Sequence, residues 1–380
     1  MKIVHLCLSC FYIDNYSYQE NMLPKYHVKQ GYEVTMIASL CSFDEKGQGC
    51  YLPKASTYWD KDGYKVIRLA YKNPIRLNRL FRHYEGFKEA LYDEAPDIIF
   101  MHGPSFGDTP VVRQYIQKHP ETRLFADNHA DYINSATNFL SKKILHPIVW
   151  RHYAKVVEPY MEKCFGVTPQ RCRFLKEMYH INPAIIEFLP MGVDDDVIPL
   201  NREDLRKQVR GNLGINADDF LIMTGGKIDE RKNTHVLLEA LSVLNNPKIH
   251  LVICGTLTPQ MQYLQEKINA NKNIHYLGWC NAERVMDIMI ASDMACFPGT
   301  HSTLWEQAVG VGLPAVFKKW DEMDHVGVNG NCIFIKGEGV KELADAIQNI
   351  ITDYPQYKEL AGVAAESFKY SNISKKAIGE

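Results

Sequence analysis

Two lysines five positions apart, Lys227 and Lys232, stand in the stretch TGGKIDERKN (224–233), directly after the apolar run Phe220-Leu221-Ile222-Met223. The run reads as a buried strand and the residues from about 233 onward as a helix, so Gly225 and Gly226 fall where the strand turns toward the helix. Such a turn leaves backbone N–H groups unpaired, adds the positive end of a helix dipole, and lets a ligand approach a backbone without Cβ atoms. Two ammonium groups at that place would hold a phosphate or a diphosphate. The same residues also read as a solvated loop whose lysines pair with Asp229 and Glu230.

A second stretch, FPGTHSTLWEQAVGVGLPAV (297–316), has the same grammar. Pro298-Gly299 ends a strand, and Thr300, Ser302 and Thr303 offer side-chain caps for the helix that follows. Glu306 lies on that helix and is expected on its second turn, facing the same mouth as Lys227. Helix amides there could bind phosphate, and the carboxylate could accept hydrogen bonds from a ribose diol. The alternative is a capped helix with a solvated Glu306.

The elements that must position these residues follow from periodicity. Strand-length apolar runs fall at 2–8, 33–39, 64–69, 97–101, 123–127, 164–168 and 184–189. A second series follows at 219–224, 249–254, 273–277, 293–297, 314–317 and 332–335. Helical periods separate them near 17–30, 233–244, 258–270, 281–290, 302–311 and 339–352. Alternating strands and helices imply parallel sheets with right-handed crossovers. The period breaks at LPMGVDDDVIPLNRED (189–204), with two prolines, a glycine and an acidic cluster. The expected architecture is therefore α/β, with two Rossmann-like doubly wound domains facing across a cleft. The expected spans are 1–195 and 196–365, with 366–380 a C-terminal segment returning to the first domain. Ligands of such sheets bind outside the carboxyl ends of the strands.

Composition narrows the function classes. Hydrophobic residues make up 46 % of 380 and charged residues 23 %, an ordinary globular mixture. A formal net charge of −2 argues against nucleic acid as a partner. No run approaches the ~20 apolar residues that span a bilayer, and the start MKIVHLCLSCFY is strand-like rather than a leader, so a cytoplasmic location is expected. Ten cysteines with a single Cys7–Cys10 CxxC read as reduced thiols, with redox or metal chemistry at that pair as the alternative.

Taken in order, these stretches resemble family four of the retaining glycosyltransferases, which have the GT-B fold. GGKIDERKNTHVLLEAL and HLVICG match the family's lysine-bearing strand–helix block and its next strand. IHYLGWCNAERVMDIMIASDMACFPG and LWEQAVGVGLPAV match the two blocks that follow. GYEVTMIAS, PDIIFMHG, FADNHAD and LPMGVD match in order in the first half. The resemblance implies a sugar transferred from a nucleotide-sugar donor, UDP-linked by preference, to a glycan or lipid-linked acceptor in cell-surface polysaccharide synthesis, with no cofactor. A sugar-nucleotide 2-epimerase and a non-catalytic nucleotide-sugar-binding protein are the rival readings.

Carried over by position, the resemblance puts Lys227 and Lys232 on the donor diphosphate, with Gly225, Gly226, Arg231, Gly299, Thr300, Ser302 and Thr303 around it. Glu306 falls on the ribose, and Leu277, Gly278 and Trp279 on the base. His129, in DNHAD, falls on the residue that faces the donor sugar from the first domain. Asn15, Tyr16 and Ser17 form the acceptor-side loop, where the family often has Gly-Gly. The family's other glutamate, eight residues before the ribose glutamate, is Pro298 here, and the segment is about four residues shorter, with Ser302 at the position counted from the strand end. Asp194-Asp195-Asp196 resembles a metal-holding Asp-x-Asp, but it sits in the boundary turn, so no metal site is expected. Finally, RLNRLFRHYEGFKEAL (76–91) reads as one helix with a stripe of Leu77, Leu80, Phe81, Tyr84, Phe87 and Leu91. With Arg76, Arg79 and Arg82, and with the basic, aromatic SKKILHPIVWRHYAK (141–155), it either packs on the first sheet or rests on an anionic membrane.

Overall fold

The computed structural model describes residues 1–44, 48–74, 77, 80–320 and 322–380. The chain divides into two compact units, one of Met1–Pro190 with Ile373–Glu380, the other of Met191–Asn372. Strands of the first are β1 Lys2–Cys7, β2 Glu33–Ser39, β3 Cys41–Phe43, β4 Gly49–Tyr51, β5 Ser56–Trp59, β6 Lys65–Leu69, β7 Ile98–His102, β8 Arg123–Asn128, β9 Met161–Gly166 and β10 Ile186–Phe188. They form a sheet ordered β10-β9-β8-β7-β1-β2-β6-β5, parallel except for β5, with β3 and β4 as a separate hairpin. The order reverses between β1 and β7, because chain laid down after β1 runs first through β2 and β6 and later through β7 to β10.

The second unit has β11 Phe220–Gly225, β12 Ile249–Cys254, β13 Ile274–Gly278, β14 Met294–Phe297, β15 Ala315–Lys318 and β16 Cys332–Ile335. All pairings are parallel and the order is β13-β12-β11-β14-β15-β16. That is the 3-2-1-4-5-6 order of a doubly wound nucleotide-binding sheet. Both faces are covered, so strand residues alternate between two cores. Leu221 and Met223 join one cluster with Trp305 and Phe317, while Ile222 joins the other with Leu237 and Ile347. Each such buried aliphatic side chain contributes roughly 1.5–3 kcal/mol.

Two expected helices differ. The segment 258–270 is a short 3-10 turn, Pro259–Met261, followed by Leu264–Asn269. The stripe over 76–91 is no single helix. Arg82 takes φ +54 and Tyr84 bridges to Tyr71, so the helix begins only at Phe87. Arg82 turns inward, donating to Ser105 O at 2.9 Å and stacking 4.1 Å from the Trp150 ring. It is therefore no lipid-facing cation, and Arg76 and Arg79 lie outside the described residues. Asp195 starts a 3-10 turn and accepts a hydrogen bond from Ser371 N at 3.1 Å. All ten cysteines are free thiols.

One buried ion pair secures the second sheet. Asp293, just before β14, accepts from Arg206 at 2.5 Å, Arg210 at 3.1 Å and Leu221 N at 2.7 Å. It ties the helix Arg202–Asn212 to the start of β11. Asp293→Ala would strand Arg210, which is 4 % exposed, without its counter-charge. The variant should lose about 3–5 kcal/mol in denaturant unfolding, whereas breaking an exposed pair such as Lys248–Asp218 should leave stability nearly unchanged.

Candidate functional site

The order of the second sheet reverses between β11 and β14, and the two chemistry-bearing stretches leave the carboxyl ends of those two strands. After β11, Gly226 takes φ +100, a conformation costly for any residue with a Cβ, and its N–H donates to Cys254 O at 2.8 Å. The following 3-10 turn, Glu230–Lys232, packs against the loop after β14. Thr300 N donates to Arg231 O at 2.9 Å, and Asn233 Nδ2 donates to Pro298 O at 3.1 Å. Gly299 is required at this contact, because a Cβ there would lie 2.2 Å from Arg231 O.

The two lysines differ. Lys227 is exposed, whereas Lys232 is partly buried and donates to Thr300 O at 2.7 Å and His301 O at 3.3 Å. Burial pushes the Lys232 ammonium below its ordinary range, which Asp229 partly opposes. Lys232 thus ties the two loops together and, having three N–H donors, keeps one for a ligand. The exposed Arg231 guanidinium pairs instead with Asp229 at 2.7 Å.

The loop 299–303 leads into the helix Leu304–Gly310, on which Glu306 occupies the first turn, not the second. Thr303 is the N-cap residue, but its backbone is already helical (φ −57, ψ −15), so its hydroxyl caps nothing. Ser302 Oγ is buried and has no hydrogen-bond partner among the described residues. Glu306 is fully buried rather than solvated. Its Oε1 accepts from His301 Nε2 and His325 Nε2, each at 2.8 Å, and its Oε2 has no partner among the described residues. Burial alone would push the carboxyl up, but the two histidines hold it well below the usual carboxylate range. The ligand-type atoms of His301, Glu306 and His325 all lie within 4.8 Å of one another, so these three could also close on a metal ion. As hydrogen bonds, the two contacts already satisfy Oε1.

At the carboxyl end of β13, Gly278 O accepts from Gly255 N at 2.6 Å, which joins this edge to the loop after β12. Leu277 is half-buried, and Trp279 is 77 % exposed. In the first unit, Asn15 (φ +65), Tyr16 and Ser17 form an exposed loop between β1 and the helix Gln19–Lys29. Its neighbour Asp14 is anchored to the buried Arg68 guanidinium at 2.8 Å. His129 follows β8, with Nε2 at 3.4 Å from Asp127 and 3.8 Å from Glu20. Burial lowers its basicity, but Glu20 and Asp127 outweigh this and raise it. Asp131 instead caps a turn, accepting from Ile133 N and Asn134 N, and pairs with Arg171.

Four residues here were not among those picked out from the sequence. His301 and His325 hold Glu306, Asn233 holds Pro298, and Trp320 donates to Gly299 O at 3.1 Å. His301 and Asn233 lie inside the quoted stretches. His325 and Trp320 are brought in by the chain after β15 and carry no local signal.

Residues 206–366, which lie within the second unit, match the family described as glycosyl transferases group 1. The chain as a whole has the GT-B fold. Over 222 residues it is 22 % identical to a D-inositol 3-phosphate glycosyltransferase of Corynebacterium urealyticum, a match covering 54 % of this chain and 52 % of that protein. The chain thus spans about half the length of the curated relatives it matches. Among solved structures, HepE of Anabaena in complex with UDP superposes with a TM-score of 0.65 at 15 % identity, covering 99 % of this chain and 98 % of that one. UDP-GlcNAc 2-epimerase of Neisseria meningitidis bound to UDP-GlcNAc gives 0.60 at 14 %, with the same coverage. Identities this low show a shared fold and nothing further.

A carboxylate whose folded-state pKa is depressed contributes stability above its unfolded pKa and loses it as pH falls through the folded value. Glu306→Gln should therefore be less stable than wild type by about 2 kcal/mol. That gap should persist from roughly pH 8 to pH 5 and close only in stronger acid. Urea unfolding across this range tests it. A gap that has already closed by about pH 5 would mean that the two histidines do not hold an ionised Glu306.

Proposed function

We propose that this protein is a retaining glycosyltransferase that moves a sugar from a nucleotide-sugar donor, UDP-linked by preference, to a glycan or lipid-linked acceptor in cell-surface polysaccharide synthesis. The observation that carries the reading is the meeting of the Lys227–Lys232 loop and the Glu306 loop at the switch point of a 3-2-1-4-5-6 sheet. Gly225 and Gly226 let the diphosphate lie against backbone. Glu306 Oε2, buried and without a partner, accepts from a ribose hydroxyl. The base lies along Leu277, Gly278 and Trp279. Arg231 belongs to the site through its carbonyl, which fixes Thr300, rather than through its guanidinium.

Chemistry follows from where charge develops. As the bond from the sugar to the diphosphate breaks, negative charge gathers on the leaving phosphate oxygen. Lys227, the free donor of Lys232 and the amides around 299–303 stabilise it. Attack from the same face, assisted by the departing phosphate, retains the anomeric configuration. His129 contacts the donor sugar, and Asn15, Tyr16 and Ser17 belong to the acceptor side. UDP and UDP-GlcNAc, the ligands of two proteins of the same fold, support a uridine donor.

A membrane-resting face is part of the reading. It is carried by Leu140, Ile144 and Ile148, exposed at helical spacing beside Phe139, Lys142 and Lys143. No helix of the described residues is long and apolar enough to cross a membrane.

Incubation with sugar nucleotides should release nucleoside diphosphate. An epimerised donor would favour the epimerase instead, and an unchanged donor a binding protein. Lys232→Ala should lower turnover by roughly 10²–10³-fold and weaken diphosphate binding. His129→Ala should lower turnover with diphosphate affinity nearly unchanged; the reverse pattern would misplace the donor.

Phe139→Ser with Ile148→Ser should weaken flotation with anionic liposomes without changing the melting temperature. Equal flotation of wild type and variant would remove the membrane face from the reading.

A further inference from the structure

Three buried histidines of the first unit form one unbroken hydrogen-bonded chain behind His129. His27 Nε2 meets Ser374 O at 2.9 Å, and His27 Nδ1 meets His5 Nε2 at 3.0 Å. His5 Nδ1 meets His102 Nε2 at 3.0 Å, and His102 Nδ1 meets Asp127 Oδ2 at 3.1 Å. All three rings and Asp127 are 0 % exposed. Asp127 Oδ2 also lies 3.4 Å from His129 Nε2. Parallel strand register makes this possible, because His102 is paired with Asp127 across β7 and β8, and β1 carries His5 alongside. The far end, Ser374, belongs to the C-terminal segment 373–380 that completes this unit.

Counting protons along the chain gives an odd result. A neutral imidazole supplies one N–H and one lone pair. The chain has four contacts, and both of its ends, a carbonyl and a carboxylate, only accept. Starting at Ser374 O, His27 must donate with Nε2 and so accept at Nδ1. His5 then donates from Nε2 and accepts at Nδ1, and His102 donates from Nε2. If His102 were neutral, its bare Nδ1 would face a carboxylate oxygen, lone pair against lone pair. Four contacts need four protons, and three neutral rings supply three.

We infer that this chain binds one proton beyond its neutral complement, held at the His102–Asp127 contact, and that docking of the C-terminal segment through Ser374 O is what makes the chain take it up. Without the carbonyl, three contacts and three neutral rings close the chain with every ring donating toward Asp127. The extra proton makes His102 and Asp127 a neutral pair behind His129. His5, His27 and His102 are thus positioning residues that set the charge His129 faces. Their effect on catalysis rests on the reading of His129 given above, but their protonation does not.

The surroundings agree with that location. Burial, with the neighbouring rings, pushes His5 well below the usual imidazole range, and burial brings His27 down to about 4, so neither bears the charge. Burial would raise Asp127, but His129 and His102 hold it below the usual carboxylate range. The other groups facing Asp127 and His129 are Gln19, which donates to Asp127 Oδ2 at 3.2 Å, then Glu20 and Arg171 from their helices, Cys7 and Cys10 from the β1 end, and Cys164 from β9.

Nitrogen NMR of the full chain, with histidine labelled at both ring nitrogens, reads each ring's protonation and tautomer directly. Between about pH 6 and pH 8, His102 should show two protonated nitrogens. His5 and His27 should be neutral with the proton on Nε2. A His102 neutral with its proton on Nδ1, or a His27 protonated on Nδ1, overturns the inference. Two variants separate the cause. His27→Gln can still donate to Ser374 O and accept from His5, so the His102 signal should persist. His27→Phe breaks the chain, and His102 should become neutral with its proton on Nδ1. The His129 titration midpoint should then rise by on the order of one pH unit, since Asp127 is no longer balanced. An unchanged His102 in His27→Phe would likewise overturn the inference. All of these readouts are independent of transferase activity, so a failed assay and a failed proton count remain distinguishable.

Discussion

Gly299 lies so close to the Arg231–Lys232 backbone that any side chain there would fall within 2.2 Å of Arg231 O. The candidate site depends on that contact. It brings Thr300 N onto Arg231 O, and it brings the Lys232 ammonium within reach of the Thr300 and His301 carbonyls. His301, placed by the same loop, then reaches Glu306. Without the close approach, a lysine loop and a glutamate helix would leave two neighbouring strands independently. With it, they form one surface whose polar atoms are fixed before a ligand arrives, the condition under which charge stabilisation costs no reorganisation.

Both units use ionised groups that are buried and paired, but for different ends. Asp293 with Arg206 and Arg210 braces a helix against a strand start, and every carboxylate oxygen has a partner. Glu306 and Asp127 are only half satisfied. Each concentrates its partners on one oxygen and leaves the other buried and, among the described residues, without a hydrogen bond. An unpartnered buried carboxylate oxygen costs stability. Its presence at the carboxyl edge of each sheet, and not at Asp293, fits residues kept for a ligand or for proton chemistry rather than for the fold.

The strand–helix alternation was legible because parallel strands covered on both faces must be short continuous apolar runs. KIVHLC and FLIMTG are such runs, and their flanking glycines and charges mark where the chain turns. The helix expected through Tyr84 failed for a reason that periodicity does not contain. Arg82 adopts φ +54 to bring its guanidinium onto Ser105 and Trp150, contacts 23 and 68 positions away. The caps expected from Thr300, Ser302 and Thr303 failed because Thr303 is already helical.

By itself the sequence determined the α/β class, the run of elements, and the two stretches, 224–233 and 297–316, that carry charge to the ends of strands. These are local properties, written in residue type and spacing over one or two turns of chain. Tertiary structure alone decided which strands are neighbours, and so that β11 and β14 flank a switch point. It also decided that Glu306 is clamped by a histidine nineteen residues on, and that His5, His27, His102 and Asp127 share one line of hydrogen bonds. The physical reason is the same in each case. Hydrogen-bond partners and burial are set by strand order and register, and a sequence of short apolar runs admits many orders until packing selects one.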